Sequence, residues 1–474
     1  MNYLFIVLGF DSFYEMTVML KMLDQMPPGC NVLVYASELA STYLLGDERV
    51  FLMPTSVDKS ENKKLFDKTI NDGSITSVFV FDYHKTLFTK EYNHDYLLIP
   101  FDPEWLDDLD IPVCIVDCFD MFNFNEEHQL YLLSSSDFNV EEEPVDNERT
   151  EYDELYDRAL LGENPHDIED NETSDYREKS IKPDMIVKTD INPYIIRLCP
   201  THEAKRDNND ERFIYWDYGY TDFDTTEAEQ MKFSLGVMPD KKNIILNFSY
   251  QFVLKSTLNN QHTHYLRVIN SLIHFIKVLD IKVNLFIMGM DSSVSQLPSL
   301  RGSKISVKAF RDPSYNMYKA IMSFADLVIT DTTWHPCLID AAFLKIPAGV
   351  IGNSMQIMPD GTCQAEYSNT HLEVFKELEK AIREAPQTIF PYSSYPLRDH
   401  ETPYFGYYEE KYIYYLLDIY SEESVVSFLG EFLIEIDEVY SNLKERYSEY
   451  NKRSEGALRT EKLIYFFEGY ESNS

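Results

Sequence analysis

The sequence predicts an α/β protein of two doubly wound parallel sheets followed by C-terminal helices. Three observations carry that prediction. Continuous apolar runs recur through residues 3–117 and again through 243–351. Between the runs lie stretches whose apolar residues fall at helical spacing. The two series are of similar size and flank an irregular middle. A strand buried on both faces is apolar at every position, and strands that alternate with helices imply βαβ crossovers.

In the first series, Tyr3–Gly9 reads as a buried strand ended by glycine, and Phe13–Met26 as a helix with Met16, Met19, Leu20 and Leu23 on one side. Asn31–Ala36 is the second strand, Glu38–Leu45 a short helix and Val50–Met53 the third strand. Asn62–Ile70 is a helix and Ile75–Phe81 the fourth strand. A helix near Trp105 precedes a strand over Pro112–Asp117. From 134 to 184 the chain carries eighteen acidic residues against five basic ones. Such a stretch buries too little apolar surface to offset its ordering entropy, so a solvated, flexible insertion is expected, with one short helix near Tyr152–Leu161. Met185–Lys188 and Tyr194–Leu198 complete the first domain, taken as 1–200, and 201–240 is expected to be an irregular linker.

In the second series, taken as 241–400, strands are expected over Asn243–Phe248, Val283–Met288, Ile305–Phe310, Leu327–Thr330 and Ala348–Ile351. Helices are expected over His264–Leu279, Pro313–Phe324, Cys337–Leu344 and His371–Ala385. The tail, 401–474, is helical by period from Glu409 to Tyr470 and is expected to pack across the domains, with Tyr412, Tyr414, Tyr415 and Tyr420 serving as packing residues.

The chain of 474 residues has 42 Lys+Arg against 80 Asp+Glu, a net charge of −38. A phosphate backbone is repelled by most of such a surface, which argues against nucleic acid as a partner and disfavours an anionic membrane. No stretch approaches the roughly 18 apolar residues of a membrane helix, and Tyr3–Gly9 is too short and lacks the basic flank of a signal peptide. The six cysteines, Cys30, Cys114, Cys118, Cys199, Cys337 and Cys363, form no CxxC pair, so buried free thiols and a cytoplasmic location are expected. P-loop, GxGxxG, HExxH and GxSxG motifs are missing. His262 and His264, two apart, share no helix face, and Asp222-Phe-Asp224 is discounted as a metal motif in so acidic a chain, so no metal site is expected.

Two stretches carry a family resemblance. Phe5-Ile-Val-Leu-Gly-Phe-Asp-Ser-Phe-Tyr-Glu-Met-Thr-Val-Met-Leu20 and Ala325-Asp-Leu-Val-Ile-Thr-Asp-Thr-Thr-Trp-His-Pro-Cys-Leu-Ile-Asp-Ala-Ala-Phe-Leu-Lys-Ile-Pro347 resemble the first and the late strand–turn–helix units of GT-B glycosyltransferases. The resemblance covers Asn2–Asp117 and Asn243–Ala385. It implies two Rossmann-like domains facing a cleft, an acceptor domain first and a nucleotide-sugar domain second. It also implies sugar transfer from a nucleotide-activated donor to an acceptor of unknown identity, with no metal and no resident cofactor.

The implied donor side is the turn at Thr332, Thr333 and His335, with Asp340 toward the ribose, Ser249 after the second domain's first strand, and Phe310 with Arg311 where Tyr315 and its neighbours would stack the base. The glycine that such enzymes carry beside Ser249 is missing, and the acidic residue that retaining members carry eight positions after Asp340 is Ala348. Physical reading of the turn agrees in part: Pro336 suits a first helical turn, and a helix N-terminus offers N–H groups and partial positive charge to a diphosphate. An ordinary cap by Asp331 or a threonine is the alternative. Arg311 is open to a salt bridge with Asp312 instead.

On the acceptor side, inverting members place a base histidine in the first loop, and here Asp11 and Ser12 stand there. Asp11 is a base if burial raises its pKa. With Ser12 and Glu15 it also completes a capping pattern for the following helix. His84, at the end of the fourth strand, is the second candidate base. Asp117, Asp120 and His202 are expected along the same edge. Two other functions remain open: a non-catalytic GT-B-like scaffold whose acidic insertion binds a protein partner, and a nucleotide-sugar 2-epimerase or polyol-phosphate transferase on the same fold.

Overall fold

The computed structural model describes residues 2–9, 13–36, 48–92, 99–107, 109–118, 122–124, 130–132, 193–201, 211–219, 223–248, 264–289, 304–310, 313–332, 335–352, 355–357, 363–365, 413–419, 421–434 and 436–467, with positions 97, 204 and 221. Asp11, Ser249, Arg311 and Thr333 lie outside these residues, as do Asp120, His202, the acidic stretch and the helices expected over Glu38–Leu45 and His371–Ala385.

The first sheet is built from β1 (Asn2–Val7), β2 (Asn31–Ala36), β3 (Val50–Leu52), β4 (Ile75–Val80), β5 (Val113–Asp117), then, past the small hairpin β6 (Phe122–Phe124) and β7 (Leu130–Leu132), β8 (Tyr194–Cys199) and β9 (Phe213–Asp217). Its order is β3-β2-β1-β4-β5-β8-β9, every pair parallel. The central strand β1 has Tyr3 through Val7 fully buried, because helices cover both faces, whereas Phe51 and Leu52 on the edge strand β3 are exposed. Around this sheet stand α1 (Phe13–Asp24), α2 (Lys59–Asp72) and α3 (Tyr83–Tyr92). Residues Pro103–Leu106 form a 3-10 turn that seats Trp105 against Phe66 and Phe101.

The second sheet holds β10 (Lys242–Asn247), β11 (Val283–Met288), β12 (Ile305–Phe310), β13 (Leu327–Thr330), β14 (Ala348–Gly352) and, past the hairpin β15 (Met355–Ile357) and β16 (Cys363–Ala365), β17 (Tyr415–Asp418). Its order is β12-β11-β10-β13-β14-β17, again all parallel. Numbered by entry into their own sheets, both read 3-2-1-4-5-6, the doubly wound Rossmann order, with β9 as a seventh strand in the first. The helices are α4 (Thr225–Ser234), α5 (His264–Val278), α6 (Tyr315–Met322) and α7 (Pro336–Leu344), then α8 (Glu422–Leu433), α9 (Ile436–Lys452) and α10 (Thr460–Phe467).

Two expectations are corrected. The segment 201–240, read as irregular, contributes β9 and α4. β9 was obscured because its sequence, Phe-Ile-Tyr-Trp-Asp, alternates buried and half-buried positions beneath other elements. Within the tail read as helical, Tyr415–Asp418 is a strand that pairs beside β14, since the sheet's open edge supplies partners that helical spacing does not reveal.

The tail spans both domains. Helices α8 and α9 bury Val425, Phe428, Leu429, Leu443 and Tyr447 in the second core, while Leu463, Ile464 and Phe467 of α10 join the first. Leu458 bridges to Trp216 and exchanges backbone hydrogen bonds with Tyr215 and Asp217, covering the outer edge of β9. Tyr414 is buried in the second core, in keeping with a packing role. Cys30, Cys114, Cys118, Cys199 and Cys337 are buried and outside any disulfide. No helix among the described residues is long and apolar enough to cross a membrane.

Candidate active site

In a sheet of this order the chain leaves β1 and its fourth strand toward opposite faces, and the crevice between their carboxyl ends is the usual ligand position. The first sheet's crevice lies between β1 and β4, where Ile6 pairs with Val80. Just beyond, Asp82 Oδ2 accepts the backbone N–H groups of Leu8 and Gly9, each at 2.7 Å. One fully buried carboxylate thus ties the two strand ends together.

Above that tie, α1 and α3 bring charged side chains face to face. Glu15 comes from the first turn of α1, and His84 and Lys85 from the first turn of α3. Lys85 Nζ lies 2.7 Å from Glu15 Oε1, and His84 Nε2 lies 3.6 Å from the same oxygen. All three are buried. Burial first, and then the Lys85 charge, hold the His84 imidazole well below its usual pKa, so it is neutral near pH 7. Asp117, at the end of β5, accepts the Phe122 N–H at 3.1 Å. Cys118 hydrogen-bonds the Phe81 carbonyl at 3.7 Å. Its thiol is pushed up by burial and by the Glu15 and Asp117 charges, which leaves it protonated and a poor nucleophile.

The second crevice lies between β10 and β13, where Asn247 pairs with Thr330. Here α7 starts, and its first turn is closed from within. His335 is the N-cap, and its Nδ1 accepts the Cys337 N–H at 3.2 Å. The Leu338 N–H bonds the His335 carbonyl at 3.0 Å, and Pro336 has no N–H. The Cys337 thiol is buried here, and burial, then the Asp340 and Asp331 charges, push its pKa well above the ordinary thiol value. Burial lowers the His335 pKa to about 4, with the Asp340 charge opposing, so the ring stays the neutral acceptor that the cap requires. Thr332 is buried, and Asp331 beside it is within 3.4 Å of Thr330 Oγ1.

Several residues expected at the site make internal contacts. His335, expected to offer a proton or charge to a diphosphate, holds its own helix start, and it takes the cap position expected of Asp331 or a threonine. Asp340, expected toward a ribose, is buried and held by Lys21 of α1, by Thr221 at 3.3 Å and by the Tyr318 hydroxyl at 2.8 Å. An acid on an inner helix face finds the partners that packing brings to it, and a neighbouring domain brought a lysine. Tyr315, expected beside a stacked base, stacks on the Tyr318 ring, and burial, then the Asp340 charge, raise its pKa. Phe310 is half-buried at the end of β12 and packs on the second core. Glu15, read as the partner of a cap with Ser12, which lies outside the described residues, faces Lys85. Asp224 of the discounted acidic pair caps α4 by accepting from Thr226 and Glu227.

His84 is placed at the first crevice, as its position at a strand end implied. Glu15 and Lys85 were missed as its companions. The signal was available: Lys85 adjoins His84, Glu15 opens the helix after the first strand, and the strand order makes those two elements neighbours.

A family model described as "Family of unknown function (DUF6365)" matches residues 36–453. No curated protein matches the sequence. Among solved structures, the glycosyltransferase VinC in complex with dTDP aligns over 98% of both chains at 10% identity and a TM-score of 0.45. A putative UDP-N-acetylglucosamine 2-epimerase from Listeria monocytogenes aligns over 96% of this chain and 94% of its own, at 10% identity and a TM-score of 0.43. MurG of Acinetobacter baumannii aligns over 98% and 99%, at 10% identity and a TM-score of 0.42.

Proposed function

The chain belongs to the DUF6365 family of unknown function, and we propose that it is a GT-B-type transferase acting on a nucleotide-activated sugar. The observation that carries this reading is the neutral His84 imidazole beside the Glu15 carboxylate, over the crevice of the first of two Rossmann-ordered sheets. Inverting members of that fold use a histidine base on the acceptor domain. Here the histidine would come from the helix after β4 and the carboxylate from the helix after β1.

In this reading the acceptor O–H or N–H gives its proton to the neutral His84 imidazole, which lies beside Glu15. The acceptor atom bonds the sugar's anomeric carbon as the bond to the diphosphate breaks. The imidazolium that forms faces Glu15, whose charge is already balanced by Lys85. The donor diphosphate would lie toward the start of α7 with Ser249, Arg311 and Thr333, leaving-group charge being met by hydroxyls and dipoles rather than by a metal.

A thermal-shift screen with UDP, GDP, dTDP, CDP and ADP, with and without a divalent metal, tests the donor side. A ligand at 100-fold its dissociation constant adds about 2.7 kcal/mol of stability. A metal-independent shift with one nucleotide supports the reading. His84→Asn is then expected to lower turnover about 100-fold or more with that nucleotide shift unchanged. Full turnover in His84→Asn would remove His84 from the chemistry. Sugar product formed without an acceptor would favour an epimerase.

The internal bonding of His335, Cys337 and Asp340 favours a second reading, a GT-B-like scaffold without chemistry. No shift with any nucleotide in folded protein would support it, and a pull-down that requires residues 134–184 would assign the partner to the acidic stretch.

A further inference from the structure

Helix α1 of the first domain lies along α6 and α7 of the second, and two ion pairs cross the seam. In the first, the Lys21 ammonium donates to Asp340, with the two side chains only 1% and 2% exposed. The same carboxylate accepts Thr221 Oγ1 and the Tyr318 hydroxyl, and the Tyr218 ring lies 4.5 Å from the Lys21 ammonium. In the second, Lys319 donates to both oxygens of Asp24 at 2.7 Å each. These side chains are 13% and 18% exposed.

The two bridges have opposite polarity. The first domain supplies the cation to one and the anion to the other. Lys21 and Asp24 are three residues apart, so they share one face of α1. Tyr318, which donates to Asp340, adjoins Lys319 on α6, so Asp340 and Lys319 lie near each other on the second domain's side of the seam. Sliding α1 along the seam by one turn in one direction would set Lys21 against Lys319, and in the other direction Asp24 against Asp340, so either slip breaks both pairs and creates a like-charge contact. Like-charge contact in a desolvated seam is a strong rejection of the wrong register. A buried ion pair is a weak source of stability, and its best-attested use is to specify one arrangement.

We propose that these two bridges form a clasp that fixes the angle between the sheets, so that the resting protein holds its domains closed along α1. The proposal does not depend on the transferase reading, because it concerns only how the two sheets are joined.

Amide hydrogen exchange of the full chain tests it. Asp24→Lys places a second cation against Lys319. Peptides spanning Phe13–Asp24 and Pro336–Leu344 are expected to exchange about tenfold faster than in the unaltered protein. The core strand Val283–Met288 should keep its protection and serves as the control for folding. Adding Lys319→Asp restores the pair with its signs exchanged, and the seam peptides are expected to return to their original rates. Unchanged seam rates in Asp24→Lys with the control strand protected would overturn the clasp, and so would a double variant that exchanges as fast as the single one. If Asp24→Lys does not yield folded protein, Lys319→Gln is read in the same way, with a rise of about threefold supporting the clasp and no rise overturning it.

Discussion

His335 accepts a backbone hydrogen bond only while its ring is neutral, because a protonated Nδ1 would set one donor against another. Its folded pKa, near 4, lies below the ordinary value of 6.5, so the unfolded chain binds the proton more readily. The sign follows from linkage: the contribution is fully present above pH 6.5 and is lost as pH falls through 4. His335→Asn keeps a good cap and removes the titration. Urea unfolding of this variant is therefore expected to show a shallower loss of stability between pH 6.5 and 4 than the unaltered protein. His335→Ala should cost about 1 kcal/mol at pH 7.5 through the lost cap. The buried Glu15–Lys85 pair behaves differently. Lys85→Met alone leaves the Glu15 carboxylate buried without its closest cation, and a loss of about 3–5 kcal/mol is expected in the same assay. Glu15→Gln with Lys85→Met should recover part of it, since the uncompensated charge is gone.

At the scale of elements, the central strands and the edge strands β3 and β12 were legible, and the strands at the opposite edges, β9 and β17, were not. β1 and β11 are buried at nearly every position, and such burial on both faces writes itself as an unbroken apolar run. β9 and β17 have half-buried or exposed positions; β17 is recruited by β14, and the outer edge of β9 is covered by Leu458, both far away in sequence. β14 shows how tight that recruitment is. A Cβ built on Gly349 would lie 2.5 Å from Leu417 Cδ1 on β17 and 3.1 Å from Phe428 on α8. Gly349→Ala is expected to destabilise by about 1–3 kcal/mol through overpacking, read as a lower denaturant midpoint at unchanged slope. Leu417→Val in the same chain should relieve part of that cost.

For the whole molecule, the decisive contacts cross between distant parts of the chain. Lys21 and Asp340 are 319 positions apart. Lys21→Met would strand a buried carboxylate with only two hydroxyl donors, so the chain is expected to lose about 3–5 kcal/mol, with the loss read in the seam peptides before either core. The C-terminal helix is a second tie: Trp216 donates to Thr460, which donates in turn to Gln25 at 2.6 Å. Removing 458–474 uncovers the edge of β9 and the apolar residues beneath α10. The truncated chain is expected to expose Trp216, seen as a red-shifted emission, while the second sheet stays protected in hydrogen exchange.

The sequence by itself determined the two α/β series, the boundaries of most central strands, and the placing of His84 at a strand end. It could do so because burial on both faces of a parallel sheet and on one face of a helix is a local, periodic demand on residue type. The tertiary structure alone decided which charged groups meet. Asp340 faces a lysine instead of open solvent, His335 caps its own helix, and Glu15 turns inward to Lys85. Partners brought together by folding leave no periodic trace along the chain, because their attraction acts across space between elements whose spacing in sequence carries no information about it.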